Sequence, residues 1–442
     1  MTSIWWVRRD ARLDDNPALL EASSEDVAVP IFPWSPPLAL WSGRRRAHLA
    51  RVLWSLRTDA GGALTLRGGT PADVLVAAAA ESGSSVVWAQ REYSPSAMRE
   101  QDSVEASLAD AGVELRLVGS PYAVAPGRVV KGDGTEYQVF TPFSRAWREH
   151  GWRSPAPRAQ ASDLRALDSD VSLDHHAAHG DLEDPLALHV EFREERWLAA
   201  LEDFMTGRVD SYSEDRDRPD RAATSGLSVP LAFGQIHPRT ILAASGRVGG
   251  VQIQAQARKF ESELAWREFH ADVLFGHPTA LRESLRRVAP DDSWETGPAS
   301  DAAFIAWRDG RTGFPLVDAG MRELQATGTM HNRVRMITAS FLVKDLHLPW
   351  QRGAAYFRRA LLDYDHAQNQ LNWQWVAGTG RDAAPYFRVF NPDAQLAKFD
   401  PDLAYVRRWV AELDTPAYPE RMLDHKVERE RTLADFTRGK LP

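Results

Sequence analysis

Ile4-Trp5-Trp6-Val7-Arg8-Arg9-Asp10-Ala11-Arg12-Leu13-Asp14-Asp15-Asn16-Pro17 decides the reading of the fold. The apolar run Ile4–Val7 reads as a short buried strand. Asn16-Pro17 opens a helix, with Asn as N-cap and Pro in the first turn. Outward from this unit the pattern repeats. Val27–Phe32 is a second strand, Arg44–Thr58 has helical period, Ala63–Leu66 is a strand, and Pro71–Glu81 is a helix behind Thr70. A strand at Ser85–Trp88, a helix near Ser96–Ala109 and a strand at Val113–Val118 follow. Alternation of this kind predicts a doubly wound parallel sheet covered by helices, an α/β domain. No G-x-G-x-x-G follows the first strand, so a dinucleotide fingerprint is absent there.

Beyond this region a hairpin is expected at Val129–Phe140 around Gly132-Asp133-Gly134. Residues 153–190 are rich in Pro, Ala, Asp and His without period, as suits a connecting segment. Its His175, His176 and His179 have metal-like spacing, but linker histidines are usually solvated, and no metal site is expected. From about Glu191 the pattern is helical almost throughout. The expected division is an α/β domain over 1–130, a connecting segment over 131–190 and a larger all-helical domain over 191–442.

Composition narrows the class. The chain has 442 residues, 43% hydrophobic and 26% charged, as in ordinary globular proteins. It has no Cys, which excludes a disulfide scaffold, a thiolate-held iron–sulfur cluster, a Cys nucleophile and a Cys-containing zinc finger. The first ten residues meet charge too soon for a signal peptide, and no run approaches the ~18 apolar residues of a spanning helix. A cytoplasmic protein is the expectation. The net charge of −8 argues at first against a nucleic-acid partner. However, residues 331–411 carry eleven Lys/Arg against seven Asp, a local +4 that leaves −12 for the remainder. A local basic face can still attract phosphates, because charges farther than about 10 Å away are screened. Sixteen Trp is the oddest count, and core packing is only its plainest explanation.

Three clusters in the helical half carry chemistry. In Glu263-Leu264-Ala265-Trp266-Arg267-Glu268-Phe269-His270, the residues Glu263, Trp266, Arg267 and His270 fall at i, i+3, i+4 and i+7 of one helix face. An acid, an aromatic plate, a guanidinium and an imidazole suit a site better than an aliphatic core, although a solvated face with a Glu–Arg pair is the plain alternative. Met330-His331-Asn332-Arg333-Val334-Arg335-Met336 places two Arg and an Asn just before an apolar helix, as phosphate or carboxylate contacts require. In Asp363-Tyr364-Asp365-His366-Ala367-Gln368-Asn369-Gln370-Leu371-Asn372-Trp373-Gln374-Trp375, Asn369 and Trp373 share a helix face, while Trp373 and Trp375 point about 200° apart.

Together with Trp6-x-Arg-Arg-Asp-x-Arg-Leu13, which follows Trp5, and Thr224-Ser225-Gly226-Leu227-Ser228, these clusters resemble the photolyase/cryptochrome flavoproteins, nearly end to end. They look most like class I photolyases acting on cyclobutane pyrimidine dimers. The resemblance implies FAD held in the helical domain. Tyr212 and Thr224, Ser225, Gly226, Leu227 and Ser228 match the segment around its phosphates, where small hydroxyls and backbone N–H groups suit a pyrophosphate. Phe260 stands where relatives often carry Trp. Arg335 and Asp363 match an ion pair beside the isoalloxazine, Asp365 a ring contact, and Asn369 the residue facing flavin N5. Plant photosensors typically have Asp at that last position.

The resemblance further implies a substrate pocket of Glu263, Trp266 and Trp375, with His270 and Met336 beside the DNA. Arg216, Arg267, Asn332, Arg333 and Arg388 match positions near its backbone. Photolyases flip their target out of the duplex, and a dimer is already badly paired. Reduced flavin would donate a photoexcited electron to the dimer and recover it after the ring splits. Trp373, Trp350 and Trp307 match the chain that reduces oxidised flavin from a surface reductant. The implied partner is DNA containing such dimers, bound by a monomer without membrane or metal. Ser94 and Pro95 stand where folate-binding relatives use Asn-Glu, so a deazaflavin antenna is expected ahead of folate, with an empty or flavin-filled site as the alternatives. A six–four enzyme would carry paired His at Asn332 and Met336, and the iron–sulfur branch needs Cys. A blue-light-sensing cryptochrome without repair activity is the remaining alternative. It would usually add a long tail, whereas this chain stops at Leu441-Pro442.

Overall fold

The structure, a computed structural model, describes residues 2–24, 27–173, 192–287, 293–382 and 388–439. His175, His176 and His179 lie outside them. Two compact units form. One comprises Met1–Glu136, Ser144–Asp210 and Ser225–Phe275, the other Tyr137–Phe143, Ser211–Thr224 and Gly276–Pro442.

The first unit holds the expected sheet. Strands β1 (Ser3–Trp6), β2 (Ala28–Trp34), β3 (Thr65–Gly68), β4 (Val86–Ala89) and β5 (Glu114–Leu117) are all parallel, in the order β3-β2-β1-β4-β5. Both faces of β1 are covered. Trp5 packs with Leu19, Leu53 and Leu56, and Trp6 with Ile4, Leu75, Val87 and Leu108. A strand buried on both sides needs an unbroken apolar run, which is why Ile4–Val7 shows no alternation. The helices between strands start as their caps dictate. Asn16 Oδ1 accepts from Leu19 N at 3.2 Å, Thr70 Oγ1 from Asp73 N at 3.2 Å and Ser94 Oγ from Ala97 N at 3.4 Å, each with Pro directly behind.

The hairpin expected at 129–140 is reduced to one bridge, Val130 with Glu136, closed by Lys131 N donating to Thr135 O at 2.8 Å. Asp133 Oδ1 accepts both Thr135 N and Thr135 Oγ1, tightening the turn locally. Helix Phe140–His150 then takes over, anchored by the fully buried Trp147, so no second strand forms.

The segment 225–275 joins the first unit through buried polar contacts. Gly234 has φ +72 and lies so close to Arg9 O that a Cβ would sit 1.9 Å from it. Arg12 donates to Gly234 O at 2.9 Å, and Asp15 pairs with both Arg239 and His237. The 26-residue helix Val251–Gly276 is held against 121–127. Arg267 donates to Pro121 O at 3.0 Å, Glu268 accepts from Ala123 N, from Val124 N at 3.0 Å and from Trp147 Nε1 at 2.5 Å, and Asp272 accepts from Gly127 N at 2.6 Å. The second unit is helical around one core that includes Trp307, Phe314, Phe341, Trp350, Phe357 and Trp373. Among the described residues no helix is long and apolar enough to cross a membrane.

Candidate functional site

The second unit contains a partly open cavity. One wall is the helix His366–Ala377, whose N-cap Asp365 accepts through Oδ1 from Ala367 N at 2.9 Å and Gln368 N at 3.0 Å. Asp365, Gln368, Asn369, Asn372, Trp373 and Val376 line the cavity. Their spacing of three, one, three, one and three residues is a single helical stripe. The far side of the same helix explains its other amides. Gln370 donates to Leu281 O at 2.7 Å, and Gln374 binds Ala280 O, Glu283 O and Leu285 N at 2.9–3.0 Å, satisfying buried backbone. Trp373 thus faces the cavity, and Trp375 lies half-buried off it, as their angular separation requires.

A second wall comes from the helix Asn332–Ser340. It begins at Asn332 itself, so Asn332, Arg333 and Arg335 lie inside the helix and not ahead of it as the sequence suggested. The cause is an unusual cap: His331 Nδ1 accepts from Arg333 N at 3.2 Å. Burial pushes the pKa of His331 down to about 4, leaving the ring free to accept. Asn332, Arg335, Met336 and Ala339 consequently line the cavity. Arg333 leaves from the other side to Asp217.

The expected ion pair is present. Arg335 Nη2 lies 2.7 Å from Asp363 Oδ2, and Arg335 Nε donates to Met330 O at 2.7 Å. Among the described residues, buried Asp363 Oδ1 has no hydrogen-bond partner. Such an orphaned acceptor in a cavity wall needs a donor that the protein does not supply. An imide or ring N–H of a flavin is a donor of the right kind, so the residues present fit FAD. Asn369 Nδ2 donates to Ala354 O at 3.1 Å and Gln370 Oε1 at 2.6 Å, which leaves Oδ1 as its acceptor.

The three indoles expected to carry electrons share the second core. Trp307 and Trp373 have ring centroids 6.3 Å apart, with Phe357 5.0 Å from Trp373. Gly353 makes room, since a Cβ there would fall 2.1 Å from the Trp373 ring. Trp307 donates to Thr338 O at 2.9 Å and Trp350 to Ser284 Oγ at 3.0 Å. Trp307, Trp350 and Trp373 are 0%, 1% and 3% exposed, so none offers the solvent end of a route. Half-buried Trp294 and Tyr356 pack on the same core, Tyr356 only 5.9 Å from Trp307.

The remaining residues are placed as follows. Glu263 and Trp266 are half-buried on the helix Val251–Gly276, with His270 buried 5.5 Å from the Trp266 ring. Arg267 turns inward, 9% exposed and 4.7 Å from the Tyr122 ring centroid, so it anchors backbone instead of facing phosphate. Its shared face with Glu263 was legible; its burial was not. Tyr212 is buried, with Arg216 5.4 Å above its ring. In 224–228, buried Leu227 anchors a turn at Gly226, φ +70, and Thr224 and Ser228 are exposed. Phe260 is buried against Phe204 at 4.8 Å. Arg388 is exposed, its carbonyl held by buried Lys344 at 2.7 Å. Sequence reasoning missed Gln368 and Asn372, which continue the stripe through Asn369 and Trp373. It also missed Asp217, which has no spacing signal.

Comparison with known proteins identifies the family. The family described as DNA photolyase matches residues 3–161, and the family described as FAD binding domain of DNA photolyase matches residues 260–417. A deoxyribodipyrimidine photo-lyase of Agrobacterium fabrum is 34% identical, over 98% of this chain and 97% of that protein. The crystal structure of a bacterial class III photolyase from Agrobacterium tumefaciens is 34% identical with a TM-score of 0.86, covering 99% of this chain and 97% of that one. A Synechocystis cryptochrome is 25% identical with a TM-score of 0.86, covering 98% and 99%.

Proposed function

Because this chain belongs to the DNA photolyase family, we propose that it repairs DNA in light by splitting cyclobutane pyrimidine dimers flipped out of the duplex. The observation that carries this reading is the cavity in which an unpartnered Asp363 oxygen, the Arg335 cation and the Asn369 carboxamide converge. When bound and reduced, FAD supplies the photoexcited electron that opens the cyclobutane ring and is then returned.

The chain's own residues do the rest. Arg335, Asp363 and Asp365 would hold the flavin ring, and Tyr212, Thr224–Ser228 and Phe260 its phosphate side. Asn369 is oriented by Ala354 O, so its oxygen is set to accept from a ring N–H, which favours the reduced cofactor. Glu263 would bind a pyrimidine carbonyl, with Trp266 and Trp375 as stacking plates, and His270 and Met336 beside them. Arg216, Asn332, Arg333 and Arg388 would meet phosphates, a sequence-independent attraction that positions the duplex. Trp373, Trp350 and Trp307 would relay electrons to oxidised flavin. The class I likeness stands beside a class III structure at 34% identity.

The α/β domain over 1–130 would hold the antenna, and 191–442 the flavin and DNA, with 131–190 connecting them. Ser94 caps and Pro95 opens the helix Pro95–Asp110, and neither carries the amide or carboxylate side chain that folate-binding relatives have there, so our reading of the antenna is a deazaflavin ahead of folate. We place the protein in the cytoplasm as a metal-free monomer. The likeness to a cryptochrome supports a sensor as the second reading, and one assay separates the two. A duplex bearing one thymine dimer is incubated with the holoprotein under blue light and in darkness, beside a six–four duplex. Light-dependent loss of the thymine dimer alone is expected. Intact dimers beside a flavin that changes colour in light identify a sensor.

A further inference from the structure

Two arginines from separate segments converge on one acid. Arg333 Nη2 lies 2.7 Å from Asp217 Oδ2, and Arg216 Nε lies 3.9 Å from Asp217 Oδ1. The first is a charge-assisted hydrogen bond, the second a charge contact beyond hydrogen-bond reach. Each guanidinium also rests on an aromatic ring, Arg333 at 4.8 Å from the Phe399 centroid and Arg216 at 5.4 Å from Tyr212. Side-chain exposures of 20% for Arg333, 16% for Arg216 and 31% for Asp217 leave all three within reach of solvent and of a phosphate. Neighbouring His331 is neutral near pH 7, because burial holds its pKa down at about 4.

We propose that Asp217 is a specificity-determining residue: it fixes the direction of Arg333 and Arg216 while cancelling part of their charge. This deepens the reading that both arginines meet the DNA backbone, and rests on it. The two effects act differently on two kinds of duplex. An undamaged duplex binds without fixed register, so it responds to the amount of positive charge and hardly to its direction. A duplex whose dimer sits in the pocket has its phosphates fixed, so it responds to the direction of each guanidinium, which a preorganised pair supplies without further ordering. Asp217 therefore lowers lesion-independent affinity and keeps lesion affinity.

The test is dark binding of the holoprotein to a fluorescent duplex, undamaged or bearing one thymine dimer, between 50 and 200 mM salt. Asp217→Asn is expected to bind undamaged duplex about three- to tenfold more tightly, with a salt slope steeper by about 0.9, while dimer affinity holds or falls. Asp217→Glu should restore the wild-type ratio. In an Arg333→Ala background, Asp217→Asn should change the ratio much less. Asp217→Ser repeats the measurement should the Asn variant fail to fold. Equal changes for both duplexes, or no change, overturn the proposal, and weaker binding of both makes Asp217 a scaffold residue only. If Arg216→Ala and Arg333→Ala leave affinity and salt slope untouched, it is the phosphate-contact reading that fails.

Discussion

At the scale of single residues, the cavity depends on a buried charge pair with one hydrogen-bonding site left over. Asp363→Asn keeps the shape but removes the partner of Arg335, a guanidinium 25% exposed and 2.7 Å away. Breaking a buried pair costs several kcal/mol, and the partial exposure reduces this, so flavin binding should weaken by about 2 kcal/mol, roughly 30-fold. The ratio of flavin to protein absorbance after gel filtration reads this directly. An undiminished ratio removes the pair from cofactor binding. Trp307→Phe acts on another property of the same core. It deletes the Nε1 bond to Thr338 O at 2.9 Å, which costs about 1–2 kcal/mol of stability, and it replaces an oxidisable indole. Photoreduction of bound FAD by an external reductant should slow, with dark DNA binding unchanged. Photoreduction at the wild-type rate takes Trp307 out of the route.

At the scale of elements, the helix Val251–Gly276 is set by its acids. Glu268 is fully buried beneath three N–H donors, which favour its charged form, yet desolvation prevails and raises its pKa to about 7. A carboxyl whose folded pKa lies above its unfolded value of about 4.5 stabilises most at low pH and loses that contribution as pH rises through 7. The stability gap between wild type and Glu268→Gln should therefore shrink by about 3 kcal/mol between pH 4.5 and 8. Urea unfolding at several pH values measures it, and a gap that does not move with pH refutes the argument. The same scale shows what sequence could tell. Strand and helix order was legible because Asn16-Pro17 and Thr70-Pro71 are local start signals, while the helix read near Ser96 starts one residue earlier, at Pro95 behind the Ser94 cap. The start at Asn332 was not, since an imidazole cap leaves no such pattern. The cavity stripe was half-legible through Asn369 and Trp373. The bond from Arg333 to Asp217, 116 residues apart, was invisible to any spacing rule. Arg267 has the sequence of a phosphate contact and the position of a backbone anchor.

At the scale of the whole molecule, a chain of net charge −8 has to bind a polyanion. Residues 331–411 sum to +4 and the remainder to −12, so the outcome depends on how far charges are felt. The screening length is about 8 Å at 0.15 M salt and about 30 Å at 0.01 M. In the upper range DNA responds only to charges close to its phosphates, the arginines and the Asp217 that lies 2.7 Å from Arg333. Three arginines among those expected to meet phosphates keep outward access, Arg216, Arg333 and Arg388, so log K should fall with log[salt] at a slope of about −2 to −3. Arg388→Ala should reduce that slope by about 0.9, and Arg267→Ala should leave it alone while lowering the melting temperature. Below about 0.02 M screening weakens enough for the net charge of −8 to be felt, and it opposes the approach of DNA. The line should flatten there and not continue to rise. Dark titrations of a dimer-bearing duplex from 0.01 to 0.2 M test this, and a straight line to the lowest salt would mean that the distant acids are not felt and that local cations alone set the affinity.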